Sequence, residues 1–370
     1  MADNPPMDET PTQALPQQPA LSPLKPTRPV NRVLLLVISV MLAISVSTVA
    51  LMVSLAHATQ RTIAAKPTVT ATLAPTATAT LVPTPTLVTI PTPIIGQNPY
   101  VDQGGPPVVF EAYVLDPTTG RVLLAHNSTT QQAMASTTKI MTALVAILFG
   151  NLNQVITVPA EADWRHIPNN PSRMGILQGQ QYTLRQLLYG LLLPSGDDAA
   201  MAIADGVLGS QSAYVARMNL LAQWFGLQHT HFVDVHGIGL DAQGQPLTNH
   251  YTSAADLAHL TMFAMLQPSF QQLVDTPVYD VPATQTHPAF HLENTNILLQ
   301  DPDGKSVGIN GVKTGFTSVA GECVVLHATL RGHQLIAVIM GDGPGNSRFT
   351  DGLALIVWGF QVEGLHVVLP

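Results

Sequence analysis

The chain has one cysteine, five lysines and few aromatic residues across 370 positions. The lone Cys323 excludes an internal disulfide and a Cys-rich zinc site. Its apolar neighbours Val324, Val325 and Leu326 predict a buried, unreactive thiol. Only 10% of residues are charged and the net charge is −8, which excludes the clustered Lys and Arg that nucleic acid requires. No Gly-x-Ser-x-Gly elbow is present, so a Ser-His-Asp hydrolase of that kind is not expected. Histidines are plentiful, and His229, His231, His236 and His250 invite a metal reading. No carboxylate or cysteine completes a familiar ligand spacing among them, so neither a metal nor a cofactor is expected.

Charge is absent altogether from Val33 to Ala56. As a helix rising ~1.5 Å per residue this stretch is about 36 Å long, enough to cross a bilayer. Lys25, Arg28 and Arg32 precede it, so the positive-inside rule places the N-terminus in the cytoplasm and the rest of the chain outside. Residues 1–32, polar and rich in proline, are expected to form a disordered cytoplasmic tail. Ala56-His57-Ala58 also resembles a signal-peptidase site, and cleavage near Ala58 would release a secreted product. The apolar stretch exceeds the ~7–15 residues of a signal h-region, and an uncleaved transmembrane signal-anchor is the reading adopted. Residues 57–100, dominated by Thr, Pro, Ala and Val, predict an extended extracytoplasmic linker. A globular domain is expected over 101–370.

Within that domain, Val108–Phe110 and Ala112–Leu115 read as one strand. A turn at Asp116-Pro117-Thr118-Thr119-Gly120 returns it through Arg121–Leu124 as a hairpin. Helical periodicity follows over 136–149, ending at Gly150-Asn151, and again over 184–206 and 211–226. Cys323–Leu330 and Gln334–Met340 read as strands around Arg331-Gly332-His333, and a last helix is expected over about 346–360. Strands at both ends with helices between predict an α/β (α+β) fold: one antiparallel sheet flanked by helices, with a mainly helical lobe.

Two of the five lysines fall inside short motifs that stand in order along the chain: Ser136-Thr137-Thr138-Lys139, Ser195-Gly196-Asp197 and Lys313-Thr314-Gly315. Ser136 and Lys139, three apart at a helix start, share one face. A serine needs a base to become a nucleophile, and a lysine serves if burial or a neighbouring cation such as Lys313 favours its free amine. Free N–H groups at a helix start suit an oxyanion. Ser195-Gly196-Asp197 interrupts an apolar helix and offers a second hydroxyl, although the same residues make good capping sequence. Lys313 and Thr314, side by side on an expected edge strand, pair a cation and a hydroxyl as a carboxylate receptor, and Gly315 would let substrate backbone approach closely.

Ala135-Ser136-Thr137-Thr138-Lys139-Ile140-Met141-Thr142-Ala143 resembles the active-site segment of D-alanyl-D-alanine carboxypeptidases, the low-molecular-weight penicillin-binding proteins of peptidase family S11. Tyr189–Gly196 and Gly311–Gly315 resemble the same family, as do Asp116–Gly120, Thr230–Phe232, His236-Gly237 and Ala320-Gly321. The resemblance covers roughly residues 108–360. It implies a β-lactamase/transpeptidase-like fold in which Ser136 attacks the bond between two D-alanines of a peptidoglycan stem peptide. Lys139 would be its base and Ser195 a proton relay. Lys313 and Thr314 would hold the terminal carboxylate, with Asp197, Gly315 and Phe316 also meeting substrate. The N–H groups of Ser136 and Phe316 would form the oxyanion hole. β-Lactams are the inhibitors so implied, and the N-terminal helix would bind the membrane.

The chain departs from the family where Asp197 replaces the usual Asn and where Phe316 replaces the His of some relatives. An ionised carboxylate only accepts hydrogen bonds, and beside a lysine it favours the ammonium over the free base. The alternative this motivates is a non-catalytic wall-binding module that keeps the fold. A class A β-lactamase is disfavoured, because Ser195-Gly196-Asp197 does not match its Ser-Asp-Asn motif.

Overall fold

A computed structural model describes residues 110–167, 172–240 and 244–370. The expected tail, signal-anchor and linker (1–32, 33–56 and 57–100), together with Val108 and Val109, lie outside the described residues. Among the described residues no helix is long and apolar enough to cross a membrane.

The chain opens with strands β1 (Glu111–Leu115) and β2 (Val122–His126), paired antiparallel as the hairpin expected. Asp116 closes the turn, its carboxylate accepting from Thr118 N and the Thr119 hydroxyl. Helix α1 (Lys139–Phe149) follows, and short strands β3 (Val155–Thr157) and β4 (Gln181–Thr183) form a small separate hairpin. The helical lobe continues with α2 (Leu184–Leu192), α3 (Asp197–Leu208), α4 (Gln211–Trp224), α5 (Ala254–Met265) and α6 (Pro268–Val274). A second hairpin, β5 (Val278–Val281) with β6 (Phe290–Glu293), and the short α7 (Pro302–Ser306) lead to the long strands. These are β7 (Ile309–Thr317), β8 (Gly321–Leu330) and β9 (His333–Asp342), and α8 (Ser347–Val362) is the last helix.

The five-stranded sheet has the order β2-β1-β9-β8-β7, all antiparallel. Strands from the first and last parts of the described domain thus meet at the β1–β9 pairing, and β7 with Lys313-Thr314-Gly315 forms an edge. Side chains alternate across a strand with period two. Accordingly Val324, Leu326, Ala337 and Ile339 pack with Leu355, Ile356 and Phe360 of α8, while Cys323, Val325, Ile336 and Val338 pack with the helical lobe. Both faces are covered, which explains why β8 and β9 read as nearly unbroken apolar runs.

The 184–206 helix is two helices. Pro194 has no N–H to continue α2, and Ser195 sits at a left-handed φ of 64°. The helix expected over 136–149 begins as a 3-10 turn, Ala135–Thr138, and becomes α-helical only at Lys139. The Thr137 and Thr138 hydroxyls bond back to the Met134 and Ala135 carbonyls, which tightens that first turn.

Candidate active site

Lys139 opens α1, a helix whose next residues Ile140, Met141, Ala143 and Leu144 are fully buried, and its own side chain is 0% exposed. A buried lysine amino group needs hydrogen-bond partners, and Lys139 has three. Its Nζ donates to Ser136 Oγ at 2.8 Å, to Asp197 Oδ1 at 2.6 Å and to the His236 carbonyl at 2.7 Å. Ser136 itself is half-buried, and it borders a cleft of about 240 Å³ lined also by Ser172, Asp197, Ile238, Leu240 and Phe316.

The structure therefore brings the first two motifs together through Lys139 and Asp197. The carboxylate–lysine pairing that the sequence raised is present, and it is buried on both sides. Ser195 does not share that contact: its Oγ is buried and has no hydrogen-bond partner among the described residues. Gly196 N–H bonds the Gly190 carbonyl and Asp197 N–H bonds the Ser172 carbonyl, which fixes the loop that carries Ser195.

The third motif lies on β7 alongside the Ser136 turn. Gly315 packs directly on that turn: a Cβ there would stand 3.2 Å from both Ala135 Cβ and Ser136 N. Gly315 and the Ser136 turn thus lie in close contact. Lys313 is buried, with Nζ donating to the Thr314 carbonyl at 3.0 Å. Burial above all, then the positive charges of Lys139 and Arg348, holds the Lys313 amine well below the usual lysine range, against a weaker opposing pull from Asp197. Thr314 shares a 2.6 Å hydroxyl contact with Thr295, whose N–H bonds the Leu193 carbonyl. Phe316 stands at the cleft mouth, 49% exposed.

Several residues that organise the site escaped the sequence reading. Asp198 is fully buried and accepts from the N–H groups of Met174, Gly175, Ile176 and Ala199. Burial pushes its carboxyl up, and those four donors offset only part of the rise. Asp234 accepts from His236, Gly237 and Gly239 N–H and so shapes the loop whose carbonyl meets Lys139. Burial raises the Asp234 carboxyl, but nearby His236 and His250 and the loop N–H groups outweigh it and hold it below the usual carboxylate range. His250 lies under the site, Nε2 at 3.0 Å from Thr138 Oγ1 and Nδ1 accepting from Val233 N–H. Arg348 donates to the Gly315 carbonyl at 2.9 Å and pairs with Glu322. Capping-type residues signal the two aspartates weakly. Nothing local signals Thr295 or Arg348.

Among the described residues no cluster of His, Cys, Asp and Glu is arranged to hold a metal ion. His236 and His250 flank Asp234, but His231 bonds the Asn249 carbonyl instead. Cys323 is buried with its thiol pushed up to about 12, mainly by desolvation.

Comparison with known proteins agrees with this arrangement. A sequence profile described as D-alanyl-D-alanine carboxypeptidase matches residues 109–343. The chain is 34% identical over 263 residues to a D-alanyl-D-alanine carboxypeptidase of Streptomyces sp. strain K15, covering 68% of this chain and 86% of that one. It is 36% identical to the carboxypeptidase DacD of Salmonella typhimurium, over 73% of this chain and 67% of the relative. With DacA of Escherichia coli K12 it shares 34% identity but spans only 62% of that protein's length. The crystal structure of the Streptomyces K15 DD-transpeptidase superposes with a TM-score of 0.61 at 31% identity, over 70% of this chain and 100% of that one. Penicillin-binding protein 5 of Haemophilus influenzae gives 0.59 at 29% identity, over 68% and 70%. Shared sequence and shared architecture thus run through the segments that build the Ser136–Lys139 site, and the chain belongs to the D-alanyl-D-alanine carboxypeptidase family, peptidase family S11.

Proposed function

We propose that this protein is a serine-type D-Ala-D-Ala carboxypeptidase that removes the terminal D-alanine of peptidoglycan stem peptides through an acyl-enzyme on Ser136. The observation that carries the reading is the 2.8 Å contact between Ser136 Oγ and a fully buried Lys139 at the edge of a cleft. In this reading Lys139 reacts as its free amine, the 2.8 Å contact then running from the Ser136 O–H to Nζ; it takes the Ser136 proton, and Ser195 relays one to the leaving D-alanine amine. The backbone N–H groups of Ser136 and Phe316 face the oxyanion. Lys313 and Thr314 receive the substrate carboxylate, and a desolvated cation strengthens such a pair. Asp197, Gly315 and Phe316 line the substrate's path. β-Lactams acylate Ser136 in place of the peptide.

The uncharged stretch 33–56 anchors the protein in the bacterial cytoplasmic membrane with its N-terminus inside and the catalytic domain outside, at the end of the 57–100 linker. Such a placement puts the cleft where peptidoglycan is.

Incubation with benzylpenicillin followed by mass spectrometry should find one covalent adduct on Ser136, absent in Ser136→Ala. The same protein should release D-alanine from a pentapeptide ending in D-Ala-D-Ala. Neither adduct nor D-alanine would defeat the proposal.

A further inference from the structure

We propose that His250 is a positioning residue for acylation: held as the neutral ring protonated on Nε2, it ties the Ser136 turn to the loop whose carbonyl aims Lys139. The inference rests on the Ser136–Lys139 chemistry proposed above.

Two isolated backbone bridges put His250 between those segments. Thr252 exchanges both backbone hydrogen bonds with Gln132, which leads into the Ser136 turn, and Tyr251 exchanges both with His231. The ring of His250 is 2% exposed, and each of its nitrogens meets a partner. Val233 N–H stands 3.0 Å from Nδ1, and Thr138 Oγ1 stands 3.0 Å from Nε2. A backbone N–H can only donate, so Nδ1 carries no proton. The Thr138 hydroxyl donates its own proton to the Ala135 carbonyl at 2.8 Å, so the N–H between ring and hydroxyl must come from Nε2. One protonation state of the ring satisfies all three contacts. A chain of hydrogen bonds then runs from Val233 N–H through the ring and Thr138 to the Ala135 carbonyl.

Both ends of that chain bear on the reaction. At one end lies Ala135, the residue before Ser136, at a φ of 47° that surrounding contacts must hold. At the other, the backbone runs from Val233 to Val235, whose carbonyl accepts from Thr142 of α1, and on to His236, whose carbonyl meets Lys139 Nζ at 2.7 Å. As a free amine Lys139 has two N–H groups and one lone pair. Asp197 and the His236 carbonyl take the two N–H groups, which leaves the lone pair facing Ser136 Oγ. Fixing the His236 carbonyl thus fixes the direction of the lone pair, and fixing Ala135 fixes the hydroxyl it must meet. His250 itself neither gives nor takes a proton in the cycle. A second proton on the ring would set Nδ1–H against Val233 N–H and break the tie. Burial above all disfavours that proton; Asp234, its Oδ1 3.8 Å from Nε2, favours it, while His236 and His231 oppose it, and the ring ends below the usual histidine range.

Two measurements on full-length protein test the role. Nitrogen NMR of isotope-labelled histidine, with His250 identified by its ring-proton contacts with Phe232, reads the tautomer in the wild type and needs no variant. At pH 6.5, where an ordinary histidine is about half protonated, His250 should show the neutral Nε2–H form. Acylation by a fluorescent penicillin is then resolved into a binding constant and a first-order rate. His250→Phe keeps a ring in the space and removes both bonds. Its first-order rate should fall by about 10–10²-fold, while the binding constant, which depends on Lys313 and Thr314 of β7, changes by less than about threefold. His250→Gln can place an amide N–H where Nε2–H stands, and His250→Asn a carbonyl oxygen where Nδ1 stands. Each keeps one bond and should acylate faster than His250→Phe. A doubly protonated or Nδ1–H ring in the wild type, or a His250→Phe first-order rate equal to wild type, overturns the role of His250 and leaves the carboxypeptidase reading standing. A loss confined to the binding constant, or Gln and Asn variants both as slow as His250→Phe, does the same. A wild type that is never acylated overturns the carboxypeptidase reading and this inference with it.

Discussion

Gly237→Ala tests how tightly the Ser136 turn is held. Gly237 has a φ of 93°, a conformation that costs an L-residue roughly 1–2 kcal/mol. A Cβ there would also stand 2.5 Å from the Ala135 carbonyl carbon and 2.7 Å from Thr138 Oγ1, and it would overlap the Ala135 carbonyl oxygen. Those are backbone and a pinned hydroxyl, so no side chain can swing away, and overpacking of this kind costs about 1–3 kcal/mol. The two together give about 2–5 kcal/mol, which at ~2–4 °C per kcal/mol for a domain of this size predicts a fall in Tm on the order of 10 °C. The loop can relieve the clash only by moving, and His236, whose carbonyl accepts from Lys139, moves with it. A displacement near 1 Å costs on the order of 10²-fold in rate. The control is Gly239→Ala, where φ is 63° but the nearest atom, on His250, is 3.7 Å away. It should lower Tm only by about 2–8 °C, the backbone strain alone, and leave acylation nearly intact. Differential scanning fluorimetry and the rate of labelling by a fluorescent penicillin read the two effects separately. Equal Tm values for the two variants, or wild-type labelling by Gly237→Ala, would refute the claim that this glycine grips the turn.

Glu111 is buried in β1, its carboxyl pushed up from 4.5 to about 8 by desolvation, against a single N–H bond from Ala254. The folded form therefore keeps a proton that the unfolded chain releases, and stability falls as pH rises from about 4.5 to 8. Glu111→Gln keeps an acceptor for Ala254, so chemical denaturation at pH 8 should show it more stable than wild type by up to about 4–5 kcal/mol, with the gain fading towards pH 4.5. Lys313→Met should raise Tm at neutral pH while D-alanine release collapses, because the buried amine costs stability for the sake of the site. Its folded value is depressed, so that penalty is full at low pH and eases as pH climbs towards the ordinary lysine value; the two melting curves should converge in alkali. Cys323 should resist iodoacetamide in the native protein at pH 8 and react fully once unfolded, as counted by mass.

What could be read from the sequence was whatever one segment settles by itself. Ser136 and Lys139 lie three residues apart, so one turn of chain decides their meeting. The β8–β9 hairpin is likewise local, with Leu330 and His333 paired across Arg331-Gly332. The edge position of β7 followed from its motif and was found as expected. Helix α5 was missed because Ala254, Leu257, Ala258, Leu260 and Ala264 are buried in the middle of the lobe. A helix covered on most sides shows no clean stripe of apolar positions. Asp198, Asp234, Thr295 and Arg348 were missed for a different reason. Each acts on backbone or side chains that the fold brings in from elsewhere, as Arg348 does on the Gly315 carbonyl, 33 residues away in sequence. Asp197 stands between these cases. Its departure from the family residue was visible, while its 2.6 Å contact with a residue 58 positions earlier was only one of the arrangements that sequence allowed.

The way Lys139 is buried decides which substitution can test the site. Three positive-φ positions lie on the segments that carry its partners: Ala135 at φ 47°, Ser195 at 64° and Gly237 at 93°. Non-glycine residues hold such conformations only where the surrounding packing over-determines them. Here β7 presses on the Ser136 turn through Gly315, and the His236 loop presses on Ala135 through Gly237. Lys139 fills the space between with all three of its N–H groups engaged. Lys139→Ala would leave Asp197 buried without its partner, and breaking a buried pair costs about 3–5 kcal/mol. Loss of activity in that variant would therefore confound chemistry with unfolding. Ser136→Ala removes one half-buried hydroxyl and leaves one Lys139 N–H without that acceptor, about 1–3 kcal/mol. It should melt closer to wild type than Lys139→Ala does, while forming no adduct. A Ser136→Ala protein that melts like Lys139→Ala would show that the hydroxyl holds the turn together, and that the 2.8 Å contact is structural before it is catalytic.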